Sequence, residues 1–207
     1  MEKHRTAETL ELVGGHLCLD FANTVNTRDE AMRREYLTGY DDLVGWARHA
    51  EILTEPEAEA LLHSAARHPD LAAAALGRAV ALRETIYRIF WAIVEHRDPE
   101  GTDLAAMNFV LREASSRLEL APSAGGFVWT WLVEEDELDR VLWPIAGSAA
   151  NLLTSTELGR VRQCARQGCD WLFVDLSKNQ SRRWCSMNVC GSRVKSRRYY
   201  RRRKQKG

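Results

Sequence analysis

No run of apolar residues in this sequence is long enough for a membrane helix, which needs roughly 18 or more. The strongest run, Tyr87 to Val94, is broken by Arg88. Met1-Glu2-Lys3-His4-Arg5 leads into polar residues with no apolar segment behind it, so nothing reads as an export signal and the expected location is the cytoplasm. The chain lacks HExxH, the H-x-E and P-C-x-x-C pair of nucleobase deaminases, a phosphate loop and any nucleophile–base pair. An enzyme is therefore not expected. Internal repeats are absent, and so are low-complexity tracts before residue 193. Net charge is also missing, with 29 Lys and Arg against 29 Asp and Glu.

That zero conceals a split. Residues 1–159 hold 14 Lys and Arg against 27 Asp and Glu, a net −13, whereas residues 160–207 hold 15 against 2, a net +13. Such asymmetry points to an acidic body carrying a basic end that seeks polyanions. At 207 residues, 45% apolar and 28% charged, the chain has room for one ordinary soluble domain and a small second one. The boundary is expected between Thr154 and Val161, giving units of 1–157 and 158–207.

The first unit reads as mainly helical with small β elements. His16 to Phe21 follows Gly14-Gly15 and alternates loosely, which predicts a short strand. Leu43, Val44, Ala47 and Ala50 mark one face of a helix within 41–53. Thr54-Glu55-Pro56-Glu57 has the form of a capping box with proline in the first turn, so a helix should run from Glu55 to about Arg67. Pro69 opens a longer one. Its broad face carries Leu76, Ala79, Val80, Arg83, Ile86, Tyr87, Phe90, Ile93 and Val94 at three- and four-residue steps. Asp98-Pro99-Glu100-Gly101 breaks it, and a further helix follows to about Leu118. The β-rich stretch 118–133 predicts a hairpin with Trp129 and Trp131 in the core, or else serving a ligand pocket. Glu134 to Asp139 reads as a solvated start to a helix ending near Leu153, kinked or restarted by Pro144.

The cysteines divide as the charge does. Cys18 stands alone and reads as a buried core residue, while Cys164, Cys169, Cys185 and Cys190 lie together in the basic end. They form two Cys-x4-Cys pairs 15 residues apart, and no histidine lies in that end. Two short cysteine loops brought together supply the tetrahedral soft ligands of a structural Zn²⁺, with no open position for catalysis. The alternatives are inert thiols or two disulfides. Asp170 to Asp175 predicts a strand, Ser177 to Ser181 a turn, Arg182 to Cys185 its partner strand, and Ser192 to about Lys204 a helix. Knuckle, hairpin, knuckle and terminal helix make a treble-clef-like finger. A unit of about 45 residues needs such a staple, since scaffolds below about 70–80 residues seldom fold unaided. Arg162, Arg166, Arg182, Arg183 and Arg193 are near enough in sequence to offset the −2 charge of a four-thiolate zinc site.

At these residues the sequence resembles the CGNR zinc-finger proteins of the ABATE-domain family. The resemblance rests on Cys164 to Cys169, Trp171-Leu172-Phe173-Val174-Asp175 and Arg182 to Arg193. A second match is Leu17-Cys18-Leu19-Asp20-Phe21-Ala22-Asn23-Thr24. One position departs, because Ser192 stands where the name-giving motif has Asn. The four ligands are untouched by this, and serine can still cap a helix. The resemblance spans most of the chain and implies regulation of transcription.

Arg193 to Lys206 contains nine basic residues and no acidic one. On a helix, Arg193, Arg197, Arg201 and Lys204 share a face, with Lys195, Arg198 and Arg202 beside them and Arg203 following. Like charges at that spacing repel, and a row of phosphates relieves them, so DNA is the expected partner and RNA the alternative polyanion. A second reading makes the basic end a zinc-stabilised module that docks on an acidic protein surface. Asp20, Asn23 and Thr24 read either as caps of the following turn or as a small-molecule effector site. His63 and His68 read as surface residues.

Overall fold

The computed structural model describes residues 5–133 and 137–196. Six helices make up most of it: α1 (Leu17–Ala22), α2 (Tyr40–His49), α3 (Glu55–Arg67), α4 (Pro69–Val94), α5 (Gly101–Ser116) and α6 (Leu142–Leu153). Among the described residues two small antiparallel sheets form, β1 (Leu118–Ser123) with β2 (Gly126–Trp131) and β3 (Val161–Gln163) with β4 (Leu172–Val174). Among the described residues no helix is long and apolar enough to cross a membrane.

Helix α4 is the central post, and α1, α2, α3, α5, α6, β3 and β4 pack on it. Its predicted face is buried at Ala79, Arg83, Ile86, Tyr87 and Phe90 and half-buried at Leu76, Val80, Ile93 and Val94. The α3 start also follows its sequence, since Glu57 accepts the Thr54 N–H at 2.7 Å and the Thr54 hydroxyl at 2.6 Å. Helix α2 stops earlier than expected because Glu51 turns into the left-handed region at φ 59°. Proline at 144 lies in the first turn of α6, after a 3₁₀ turn at Leu138–Val141, and so restarts the chain instead of kinking a helix. Residues 134–136 of the expected helix start lie outside the described residues.

Three expectations are corrected. His16 to Phe21 is not a strand; Leu17–Ala22 is a helix. It is apolar on nearly every side because α4, α6 and β4 all press on it, which erases the periodicity. Trp129 is not in the core but 67% exposed, because the β1–β2 hairpin projects from the body. Only its root is covered, with Trp131 tilted against Trp143 at 5.6 Å between ring centres. Finally, β4 does not pair with Arg182–Cys185. It pairs with β3, Val161 opposite Val174 and Gln163 opposite Leu172, so the first cysteine knuckle is the loop of that hairpin.

One contiguous core runs through Leu19, Phe21, Trp46, Ile86, Phe90, Ile145 and Leu152, and on through Leu172, Phe173 and all four clustered cysteines. Fully burying side chains of this kind contributes roughly 1.5–3 kcal/mol each. Cys18 belongs to it at 0% exposure, and burial pushes its thiol up to about 12, as suits a core residue and not a nucleophile.

Candidate metal centre and its seat in the helical body

The first knuckle, Cys164 to Cys169, turns through Gly168 at φ 73°, a conformation that favours glycine. Its ends are tied by Cys164 N–H to Trp171 O at 2.9 Å and Cys169 N–H to Arg166 O at 3.1 Å. The second knuckle closes on a π-helical turn, Met187–Gly191, with Cys190 N–H donating to Ser186 O at 2.9 Å. The two are joined where Ala165 N–H donates to Arg183 O at 2.9 Å. That single bond replaces the predicted strand pairing of Arg182–Cys185.

These turns bring the four sulfurs within 4.8 Å of one another, all buried. Cys169 to Cys185 and Cys169 to Cys190 are 3.8 Å apart, and Cys185 to Cys190 is 3.5 Å. A tetrahedral ion with bonds of about 2.3 Å requires sulfur–sulfur edges of about 3.8 Å. Disulfides need about 2.05 Å, and all five cysteines are free thiols. The donor set therefore fits one structural zinc. Hydrogen bonds from Cys169, Cys185 and Cys190 drive Cys164 well below the ordinary thiol value, while those from Cys164, Cys169 and Cys190 drive Cys185 well above it. Bound zinc removes that conflict by accepting four thiolates.

Of the arginines expected to offset the charge, Arg166 sits on the cluster, its Nε 3.1 Å from Cys190 Sγ. Arg162 binds the carbonyls of Gly159 and Val161, and Arg182 binds those of Trp184, Cys185 and Val13. Arg183 lies over the Trp184 ring. Ser192 does not act as an N-cap; its hydroxyl donates back to Met187 O at 3.1 Å within the preceding turn. Arg193 and Lys195 are exposed on the helix that begins at Ser192. Arg197, Arg198, Arg201, Arg202, Arg203 and Lys204 lie outside the described residues, as do Tyr199 and Tyr200.

The centre is built onto the helical body through β4. One edge of β4 pairs with β3; the other is satisfied by the segment around α1. Val174 N–H donates to Gly14 O at 2.8 Å, and Asn23 brackets Leu172, accepting its N–H at 2.8 Å and donating to its carbonyl at 2.9 Å. Asn23 thus acts as a one-residue surrogate strand on an otherwise open edge. Trp171 Nε1–H donates to Val25 O at 2.9 Å, and Asp170 accepts Thr27 Oγ1–H at 2.8 Å and Arg28 N–H at 2.6 Å. Asp20 accepts Gly14 N–H at 2.7 Å, and burial pushes its carboxyl up to about 6. Gly14 has no room for a side chain there, since an added Cβ would lie 2.8 Å from Leu19 Cβ. The Thr24 hydroxyl donates to Phe21 O at 2.8 Å. Asp20, Asn23 and Thr24 are therefore near one another, and each makes bonds within the protein.

An ionic relay that no short motif announces lies beside this seam. Arg83, 0% exposed on α4, grips Glu35 at 2.5 and 2.7 Å and Glu84 at 2.9 Å. Glu35 also receives Arg33 at 3.1 Å and Glu84 receives Arg28 at 2.9 Å, and the Arg28 guanidinium lies 3.5 Å from the Tyr87 ring centre. Tyr87 OH in turn accepts Gln163 of β3 at 3.0 Å. Burial opposes ionisation of Glu35, yet the Arg83 contacts, with help from Leu37 N–H and Arg33, hold its carboxyl down at about 2. The one sequence signal was Arg83 itself, a charge on an apolar helical face.

Residues 160–203 match the CGNR zinc finger, which takes in all four clustered cysteines. Residues 15–156, more than half of the chain, match the ABATE family, described as "Putative stress-induced transcription regulator". The chain belongs to the ABATE family. Its ABATE portion is the helical body, and its CGNR finger is the unit seated on it through β4. The family description is that of a regulator, not of an enzyme family. No curated protein matches the chain significantly.

Proposed function

We propose that this ABATE protein regulates transcription by binding DNA through its CGNR finger, with residues 158–207 as the binding unit and residues 1–157 as the regulatory body. One observation carries the reading: the last zinc ligand, Cys190, is followed within three residues by a run of nine basic residues and no acidic one. Zinc fixes where that run leaves the finger, and the seam through Asn23 and Asp170 fixes the finger on the body. Arg193, Lys195, Arg197, Arg198, Arg201, Arg202, Arg203 and Lys204 neutralise backbone phosphates, which gives affinity without sequence choice. The acidic balance of residues 1–159 disfavours nucleic acid elsewhere on the surface and leaves the contact to this end.

The test is duplex binding by the zinc-loaded full chain across a salt series. Affinity should fall steeply with salt, with a slope of about 0.9 per phosphate neutralised. Neutralising Arg197, Arg201 and Lys204 together should weaken every duplex to a similar extent and flatten the slope. Salt-insensitive binding, or equal affinity of the triple variant, contradicts the reading. A clear preference for single-stranded RNA in the same series transfers it to RNA.

A further inference from the structure

A cavity of about 520 Å³ opens on the face of α4 away from the relay of Glu35, Arg83 and Arg28. Its size falls in the range of roughly 300–1,000 Å³ typical of small-molecule sites. Leu82 of α4, Phe109 and Val110 of α5, and Leu142 and Trp143 of α6 supply apolar walls. Phe109 is 58% exposed at this cavity, an aromatic ring left without cover.

The charges around the walls have a definite sign. Among the described residues the cavity is lined by two arginines and three carboxylates. Both arginines are already engaged: Arg78 holds Asp139 at 2.8 Å, and Arg117 holds Glu137 at 3.0 Å. The third carboxylate, Glu113, has no ion pair or side-chain hydrogen bond among the described residues. An anionic guest would have to break an existing pair, whereas a cation meets the exposed, unmatched Glu113 carboxylate and the open ring of Phe109, which favours positive charge.

We infer that this cavity between α4, α5 and α6 is a binding site for a lipophilic monocation, an apolar or aromatic body carrying one positive charge matched by Glu113. The inference goes beyond DNA binding and does not depend on it. The same helix serves both faces, since Arg78, Leu82 and Thr85 line the cavity while Arg83, Glu84 and Tyr87 lead to Gln163 of the finger. Occupancy thus presses on the helix that carries the finger's supports.

Calorimetric titration of the zinc-loaded full chain with two ions of one shape and opposite charge tests it: tetraphenylphosphonium and tetraphenylborate. The phosphonium should bind once per chain, at least about tenfold more tightly than the borate at this site. Glu113→Gln should narrow that preference several-fold. Ala106→Trp or Ala81→Trp, at exposed wall positions on α5 and α4, should remove the binding without lowering the melting temperature. Two variants on different helices keep the test decisive if one fails to fold. No phosphonium binding, equal affinity for the two ions at the Trp-sensitive site, or binding undiminished in both Trp variants overturns the inference. None of these outcomes involves DNA, so each is distinguishable from failure of the DNA reading.

Discussion

Residues 17–153 hold themselves together by helix faces long enough to bury Trp46, Ile86, Phe90 and Ile145 completely, whereas residues 161–196 offer two strands of three residues and a few turns. The helical body is held mainly by apolar burial. The finger shares that core through Val161, Trp171, Leu172 and Phe173, and adds a four-sulfur cluster and polar groups lent by the body, with Asn23 completing β4 and backbone around Gly14, Val25 and Arg28 receiving or supplying its hydrogen bonds. A small unit of this kind reaches a defined shape by borrowing, and the body contains its buried charge relay at the place where the lending occurs.

The contrast is broken most severely at the metal. Cys185→Ser, or zinc removal by a strong chelator, should unfold the finger while leaving most helical circular dichroism, because structural zinc contributes on the order of 10–16 kcal/mol in finger peptides. Loss of the helical signal in parallel would mean that the body also depends on the ion. Next comes Arg83→Ala, which takes the bidentate partner from Glu35, leaves Glu35 to Arg33 and Glu84 to Arg28, and should cost about 3 kcal/mol in denaturant unfolding of the whole chain. Asn23→Ala leaves the Leu172 N–H and carbonyl without partners and should cost about 2–3 kcal/mol. It should also speed zinc loss to a competing chelator, a readout that a defect confined to the body would not produce.

The smallest effect is on pH. Glu35 is held at about 2, below its ordinary value of 4.5, so the folded chain keeps it ionised where the unfolded chain takes up a proton. Its contribution is complete above about pH 4.5 and is lost as pH falls toward 2, on the order of 2 kcal/mol once solvent screening of this partly exposed carboxylate is allowed for. Thermal melts of the wild-type chain should show that decline, and Glu35→Gln should start less stable and show a shallower one.

Much of this was legible in the order of residues. Local signals with local causes came through: the Thr54–Glu57 cap, the proline starts at 56, 69 and 144, the α4 stripe, the β1–β2 hairpin and the four-cysteine array. Signals whose meaning depends on distant partners did not. Leu17–Ala22 lacks a helical stripe because three elements enclose it, and nothing in the pattern around Trp129 shows that its hairpin stands clear of the body. The β3–β4 pairing was missed because three-residue strands carry no periodicity and the Arg182–Cys185 segment lay closer to a plausible turn. Asn23 stands out by its polarity beside a buried run, but its partner, Leu172, is 149 residues away.

The most direct measurement of the central claim is the DNA affinity of the full chain before and after zinc is withdrawn, at one fixed moderate salt concentration, with zinc restored as the control. A metal-fixed finger that aims the basic run from Arg193 to Lys206 should lose at least about tenfold in affinity on withdrawal and regain it on restoration. Affinity that stays the same with the sulfurs empty would contradict the account, because a basic tail alone would then suffice.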